Sequence, residues 1–310
     1  VNDAPFFALG EDAQGDLFLG SASDMKLSKG QIGRRLLGLA VAGTAWGACG
    51  TAFAELGQPA PWEYQLQGSA TEVMDYITWF HNWLFVLITV ITLFVLALLI
   101  VIVVKFNAKA NPVPSRTTHN TLIEVAWTLI PVLILVTVAI PSFRLLFLEL
   151  DVPKADLTIK ATGNQWNWTY AYPDDKIEYT SIMLTEEDRA KLASPPPRLL
   201  GVDHALVVPV NKIVRVQTTG SDVIHSFAMP AFGIKIDAIP GRLNETWFKA
   251  TKLGIYYGQC SELCGKDHAF MPIVVKVVND QDYADWKKCV LASQDNCIDL
   301  PAGTKTKQSS

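Results

Sequence analysis

The chain has 310 residues, of which 50% are apolar and 18% charged, with 30 acidic against 26 basic side chains and a formal charge of −4. That length allows two modest domains, and the slight acidic excess offers no footing for a polyanion, so no nucleic-acid partner is expected. The apolar residues are concentrated in the first half, which excludes a uniformly soluble globule and points to a chain that is part membrane and part soluble domain.

Residues 1–24 precede Met25, a candidate translation start, and are read as an N-terminal extension of uncertain status. From Met25 a basic start (Lys26, Lys29, Arg34, Arg35) leads into a short Leu/Ala/Val-rich core and then Ala52-Phe53-Ala54. That is the layout of a bacterial export signal spanning 25–54 and cut after Ala54. A third membrane helix is the alternative, but the glycine-rich core is short for one. Residues 55–76 are then a periplasmic N-terminal segment.

A hairpin of two membrane helices is expected over 77–150. Residues 83–104, "WLFVLITVITLFVLALLIVIVV", carry no charge, Gly or Pro, and as a helix they run to about 33 Å, enough for a hydrocarbon core of ~30 Å. A second uncharged run, Val125–Phe143, contains Pro131 and Pro141, which membrane helices tolerate. Between them, Lys105, Lys109 and Arg116 stand without an acid. The positive-inside rule puts that loop in the cytoplasm and both outer helix ends in the periplasm. Trp79, Trp83 and Trp127 suit interface anchors. Thr121-Leu-Ile-Glu124 fits a capping box at the start of the second helix.

From Asp151 the pattern becomes short alternating segments between turns. Residues 156–163, 165–172, 205–210, 213–220, 222–230, 244–250, 254–260 and 272–278 read as strands of an all-β sandwich or barrel ending near 280. The stretch 185–201, with Pro195–Pro197, reads as a loop insertion. A short helix is expected in the 281–310 appendage, "DQDYADWKKCVLAS" at its base, before a polar tail. Cys289 and Cys297 are close enough for a local disulfide in an oxidising compartment.

The chemistry is concentrated in "YGQCSELCGKDHAFMP" (257–272), where Cys260, Cys264, His268 and Met271 follow one another closely. Of the remaining histidines, His225 in "DVIHSF" is the best placed to join them. Three readings stay open. Cys260 and Cys264 could be a disulfide, which leaves Met271 and His225 without a role. A Cys2His2 zinc site uses four groups and again omits Met271. Copper takes thiolate, imidazole and thioether together, and is favoured on that ground. A mononuclear blue-copper site wants one Cys and two His, so the second thiolate argues for two ions bridged by two thiolates.

Four stretches, "IEVAWTLIPVLILV" (123–136), "VIHSFAMPAFGIK" (223–235), "IPGRLNETWF" (239–248) and "YYGQCSELCGKDHAFMPIVV" (256–275), together resemble subunit II of bacterial cytochrome c oxidases over roughly residues 60–285. The resemblance implies a two-helix transmembrane hairpin followed by a periplasmic, cupredoxin-like Greek-key β-barrel in the bacterial inner membrane. It implies a dinuclear copper centre, CuA, held by His225, Cys260, the Glu262 carbonyl, Cys264, His268 and Met271. The Glu262 carboxylate would reach a magnesium or manganese ion shared with subunit I. Haem would lie only in that partner, with subunit III as a further companion, and cytochrome c would be the electron donor for reduction of oxygen to water with proton pumping.

In "GNQWNWTYAYPDD" (163–175) the residues alone favour sandwich core. The resemblance makes Trp166 the point where the donor's electron enters, although Asn164, Asn167 and Ala171 depart from the family's usual residues. Asp203 and Asp222 fall on its donor-docking positions, with Asp174 and Glu178 expected nearby to steer a lysine-rich donor. Glu124 falls on the mouth of a proton path into subunit I. A subunit II of the quinol-oxidase type and an exported copper chaperone are the alternatives. The intact ligand set argues against the first, and Trp166 against the second.

Overall fold

The structure, a computed structural model, describes residues 57–292. The extension, the export signal and Cys297 therefore lie outside the described residues.

Helix α1 runs from Glu72 to Lys105, 34 residues or about 51 Å. It starts five residues before the expected boundary because Thr71 caps it: the Thr71 hydroxyl accepts from Met74 N at 3.0 Å, and Glu72 and Asp75 occupy the positive end of the helix. Helix α2, Thr121–Leu150, is capped by Asn120, whose Oδ1 accepts from Leu122 N and Ile123 N. Glu124 reaches back to Asn120 N at 3.3 Å. The cap is thus Asn120 rather than the expected Thr121, since the amide reaches two orphan N–H groups at once. Both helices are long and apolar enough to cross a membrane, and their apolar side chains face outward along most of their length. Tyr76 ties them by donating to the Pro141 carbonyl at 3.3 Å.

Ten strands follow: β1 (Leu157–Asn164), β2 (Asn167–Tyr172), β3 (Ile177–Ser181), β4 (Leu206–Pro209), β5 (Ile213–Gly220), β6 (His225–Met229), β7 (Ile234–Ala238), β8 (Asn244–Lys249), β9 (Gly254–Cys260) and β10 (Pro272–Val278). They form two five-stranded sheets, ordered β3-β2-β1-β5-β8 and β4-β10-β9-β6-β7. The cupredoxin-like domain is thus a sandwich. Strands β1 and β5 alternate strictly between buried and half-buried residues, whereas β4, β6 and most of β10 are buried throughout. Trp168, Tyr170, Phe227, Phe232, Phe248 and Tyr256 fill the space between the sheets.

Two strands had no expectation in the sequence, β3 and β7, and both are sheet edges. Edge strands are short and polar on their open side, which blurs alternation. The 185–201 insertion holds a short helix, α3 (Glu186–Lys191), capped by Thr185. The C-terminal helix α4 (Asp280–Leu291) closes one end with Trp286, fully buried against Tyr172. Cys289 is disulfide-bonded.

The sandwich is fastened directly to the helix pair. Ala70 N donates to Ala231 O and Thr251 N to Ala70 O, and the Thr71 hydroxyl donates to Phe232 O at 2.7 Å. From the other helix, the Leu148 carbonyl accepts from Trp247 Nε1 at 3.2 Å.

Candidate metal centre

Strand pairing assembles the site. In the β6–β9 ladder Phe227 stands opposite Cys260, and Ser261 N donates to Ser226 O. This sets His225, first in β6, beside Cys260, last in β9. The chain then loops through 261–271, tightens into a 3-10 turn at His268–Phe270, and delivers Met271 directly before β10.

Cys260 and Cys264 are both free and buried, with their sulfurs 3.8 Å apart, so the disulfide reading does not apply. Cys260 Sγ lies 4.0 Å from His225 Nδ1 and 3.3 Å from the Glu262 carbonyl oxygen. Cys264 Sγ lies 3.5 Å from His268 Nδ1 and 3.6 Å from Met271 Sδ. The donor atoms of His225, Cys260 and Cys264 all fall within 4.8 Å of one another. His225 is fully buried and Met271 almost so. A nest of two thiols, two imidazoles, a thioether and a carbonyl, with His225, Cys260, Cys264 and Met271 buried, is a donor set for a soft metal.

Its electrostatics point the same way. Burial opposes ionisation of Cys260, but His225 and the backbone of Glu262 and Ser226 outweigh it and bring the thiol down to about 6. For Cys264 burial and the neighbouring Cys260 charge act together and push it up to about 12. Two thiolates at this separation repel each other in a medium that screens poorly. The chain alone therefore sustains one, and a cation is what lets both ionise.

The surroundings hold these donors in place. Burial works against protonation of His225, yet Cys260 and Asp222 raise its pKa. Asp222 Oδ1 lies 2.9 Å from His225 Nε2 and accepts from Val223 N. Trp168 is fully buried, packs edge-on against His225 at 6.1 Å and donates its Nε1–H to the Met271 carbonyl. Gly163 leaves room for the imidazole: a Cβ there would come within 2.7 Å of His225 Cγ. Gly163→Ala is accordingly expected to displace His225 and to cost about 1–3 kcal/mol of stability from overpacking. Thermal denaturation and metal-binding titration of the variant check both effects.

Trp166 is half-buried, and its Nε1 donates to the Cys264 carbonyl at 3.2 Å. Lys266 stretches over its ring, 5.6 Å from the centroid. The departures at Asn164 and Asn167 answer one another, Asn164 Nδ2 donating to Asn167 Oδ1 at 2.9 Å, so the tight turn between β1 and β2 is closed without the family's usual residues.

The four expected docking acids divide into two pairs. Asp222 accepts from Gln165 N, and Asp203 is bonded to Ile182 N just beyond Ser181, which faces Trp168 across the β2–β3 pair. Both therefore sit at the Trp166 end of the sandwich. Asp174 and Glu178 are not near Trp166. Glu178 faces Ala171, five positions along β2, or about 17 Å away, and Asp174 lies in the turn beyond. Nearness in sequence misleads here because an extended strand carries its residues away in a straight line.

Gly163, Gln165 and Trp168 are functional neighbours that the sequence reading passed over. The density of "GNQWNW" was the available signal, but aromatic residues in a strand read first as core. Glu262 is exposed, beside Leu263, which is 77% exposed.

Comparison with known proteins identifies the family of the chain. Residues 157–278 match the family described as cytochrome C oxidase subunit II, periplasmic domain, and residues 59–145 match cytochrome C oxidase subunit II, transmembrane domain. The probable cytochrome c oxidase subunit 2 of Rickettsia bellii (strain RML369-C) is 48% identical over 250 residues, covering 79% of this chain and 92% of the relative. Cytochrome c oxidase subunit 2 of Cereibacter sphaeroides is 44% identical over 261 residues, covering 79% and 86%. A solved periplasmic domain of subunit II of cytochrome oxidase (CoxB) from Bradyrhizobium japonicum is 64% identical, covers 46% of this chain and 99% of its own length, and gives a TM-score of 0.43. From its first long apolar helix to the last strand of its sandwich, the chain belongs to the cytochrome c oxidase subunit II family.

Proposed function

We propose that the protein is the electron-input subunit of a cytochrome c oxidase, accepting electrons from cytochrome c and passing them to haem in subunit I, where oxygen is reduced and protons are pumped. The observation that carries this reading is the pair of free, buried thiols, each in contact with its own imidazole. A single tetrahedral zinc would leave Met271 and the Glu262 carbonyl idle. Two copper ions would engage all six residues: His225, Cys260, Glu262 through its carbonyl, Cys264, His268 and Met271. Bound there, they supply reversible one-electron storage.

The remaining work falls to the chain. Trp166 offers a partly exposed indole to a docked donor, and its hydrogen bond to the Cys264 carbonyl gives an accepted electron a short bonded path to a ligand cysteine. Asp203 and Asp222, on the same end, supply negative charge for a basic donor. Glu262 lends its carbonyl to Cys260 and is otherwise exposed, so its carboxylate would be free to serve a magnesium or manganese ion at the border with subunit I. In the bacterial inner membrane the helix pair spans twice with both outer ends periplasmic, following the basic 105–120 loop. Subunit III is a further companion in the complex. The quinol-oxidase and chaperone alternatives are not favoured, because neither requires the full ligand set together with a tryptophan bonded to it.

Electron paramagnetic resonance of the copper-loaded full chain in detergent tests the reading. Hyperfine coupling to two copper nuclei is expected, and a single-copper pattern would refute it.

On the cytoplasmic side, Glu124 would pass protons toward subunit I while also closing the α2 cap through its contact with Asn120 N. Glu124→Gln keeps an oxygen for Asn120 N and removes the titratable group. Slowed turnover of the assembled oxidase is expected, with unchanged reduction of the metal centre by the donor. Wild-type turnover in that variant would confine Glu124 to the cap.

A further inference from the structure

The turn between β1 and β2 donates no metal ligand, yet it is bonded to both halves of the ligand cluster. Gln165 N–H donates to Asp222 Oδ2 at 2.7 Å, while the other carboxylate oxygen lies 2.9 Å from His225 Nε2. The Gln165 side chain goes the opposite way, its Nε2 donating to the Cys264 carbonyl at 2.9 Å. Trp166 Nε1 donates to that same oxygen. One residue therefore links the imidazole at the start of β6, through a single carboxylate, to the thiol in the loop after β9.

We propose that Gln165 is a positioning residue that holds His225 and Cys264 at ligating separation before metal arrives. The inference rests on the copper reading above and deepens it. Its physical basis is twofold. A carboxylate accepting from imidazole Nε2–H fixes the tautomer that leaves the Nδ1 lone pair free toward the metal. The Gln165 N–H anchors the second oxygen of that carboxylate, so Asp222 cannot swing away. At the other end, a carbonyl accepting two N–H groups has its peptide plane set from two directions, and the Cys264 Cα–Cβ bond is set with it. Only a side-chain amide of this length fits. A glutamate at 165 would turn an acceptor toward an acceptor, and an apolar side chain would leave the carbonyl with the indole alone.

The test compares the full-length chain in detergent with Gln165→Met and Gln165→Glu, titrated with copper ions against a competing chelator. Both variants are expected to bind copper about 10- to 100-fold more weakly, the range typical of losing a group that orients a metal ligand. The loaded variants should also show altered copper hyperfine coupling and a shifted midpoint potential, which a residue serving only stability would leave untouched. Combining Gln165→Met with Trp166→Phe should lose more affinity than the two single changes summed, because they share one acceptor. Wild-type affinity, spectrum and potential in the single variants overturn the proposal, whatever their melting temperatures. If Gln165→Met does not fold, Gln165→Glu decides. A wild-type chain that takes up no copper overturns the copper reading itself and this inference with it.

Discussion

Cys264→Ser should abolish the two-copper signature and, with it, electron input to the oxidase. Cys264 Sγ stands at the centre of the nest, in contact with Cys260 Sγ, His268 Nδ1 and Met271 Sδ. A serine hydroxyl in that position is harder, shorter and protonated at neutral pH, so it can neither bridge two soft ions nor balance their charge. His225 and Cys260 keep their mutual contact, along with the Glu262 carbonyl. The expected residue of the site is therefore a single-copper species of weaker affinity. On the proposed two-copper reading, total copper per chain by elemental analysis should fall from two to one or fewer. The fold should persist, because Cys264 lies in a loop and the strands around it keep their ladders. Retention of two coppers per chain would refute the assignment of Cys264 as a bridging ligand.

The second large effect is expected at Trp166. Trp166→Phe keeps a ring but removes the Nε1–H that reaches Cys264 O. Gln165 still donates to that carbonyl, so the metal centre should load and retain a two-copper spectrum. What is lost is the bonded contact between the half-buried ring and Cys264. Reduction by cytochrome c should slow on the order of a hundredfold, the scale on which a displaced reacting group acts. Reduction by small dithionite-type reagents, which need no docking ring, should change little. Stopped-flow traces with the two reductants separate the cases, and equal slowing with both would mean that the substitution had damaged the centre itself.

The cluster of Cys260, Cys264, His268 and Met271 stood out in sequence because soft-metal donors are rare and four of them stand within twelve residues. His225 was legible too, as the histidine in a strand able to neighbour that loop. The helices could be read from uninterrupted apolar runs, although their ends shifted: Thr71 and Asn120 fix the starts through side-chain hydrogen bonds that a hydropathy pattern does not carry. What could not be read were contacts made by register. Asp203 and Asp222, singled out only through the family resemblance, come to the Trp166 end by accepting from Ile182 N and Gln165 N, while strand pairing carries Glu178 away. Gly163 illustrates a further kind of hidden signal. Its importance lies in an atom that is missing beside His225, and no local pattern announces an absence.

The fastening of the sandwich to both helices bears on what kind of instrument this subunit can be. Peptide hydrogen bonds at Ala70, Ala231 and Thr251, the Thr71 hydroxyl, and the indole of Trp247 on Leu148 leave no slack segment between helix and sheet. A domain on a string would sample many heights above the lipid, and tunnelling rates fall steeply with each added ångström. This one is mounted like a lamp on a short rigid bracket. Its nest of thiols, imidazoles and thioether is held at one elevation and one orientation, so in the proposed function the donor would do the travelling and the receiving haem would rely on a constant gap.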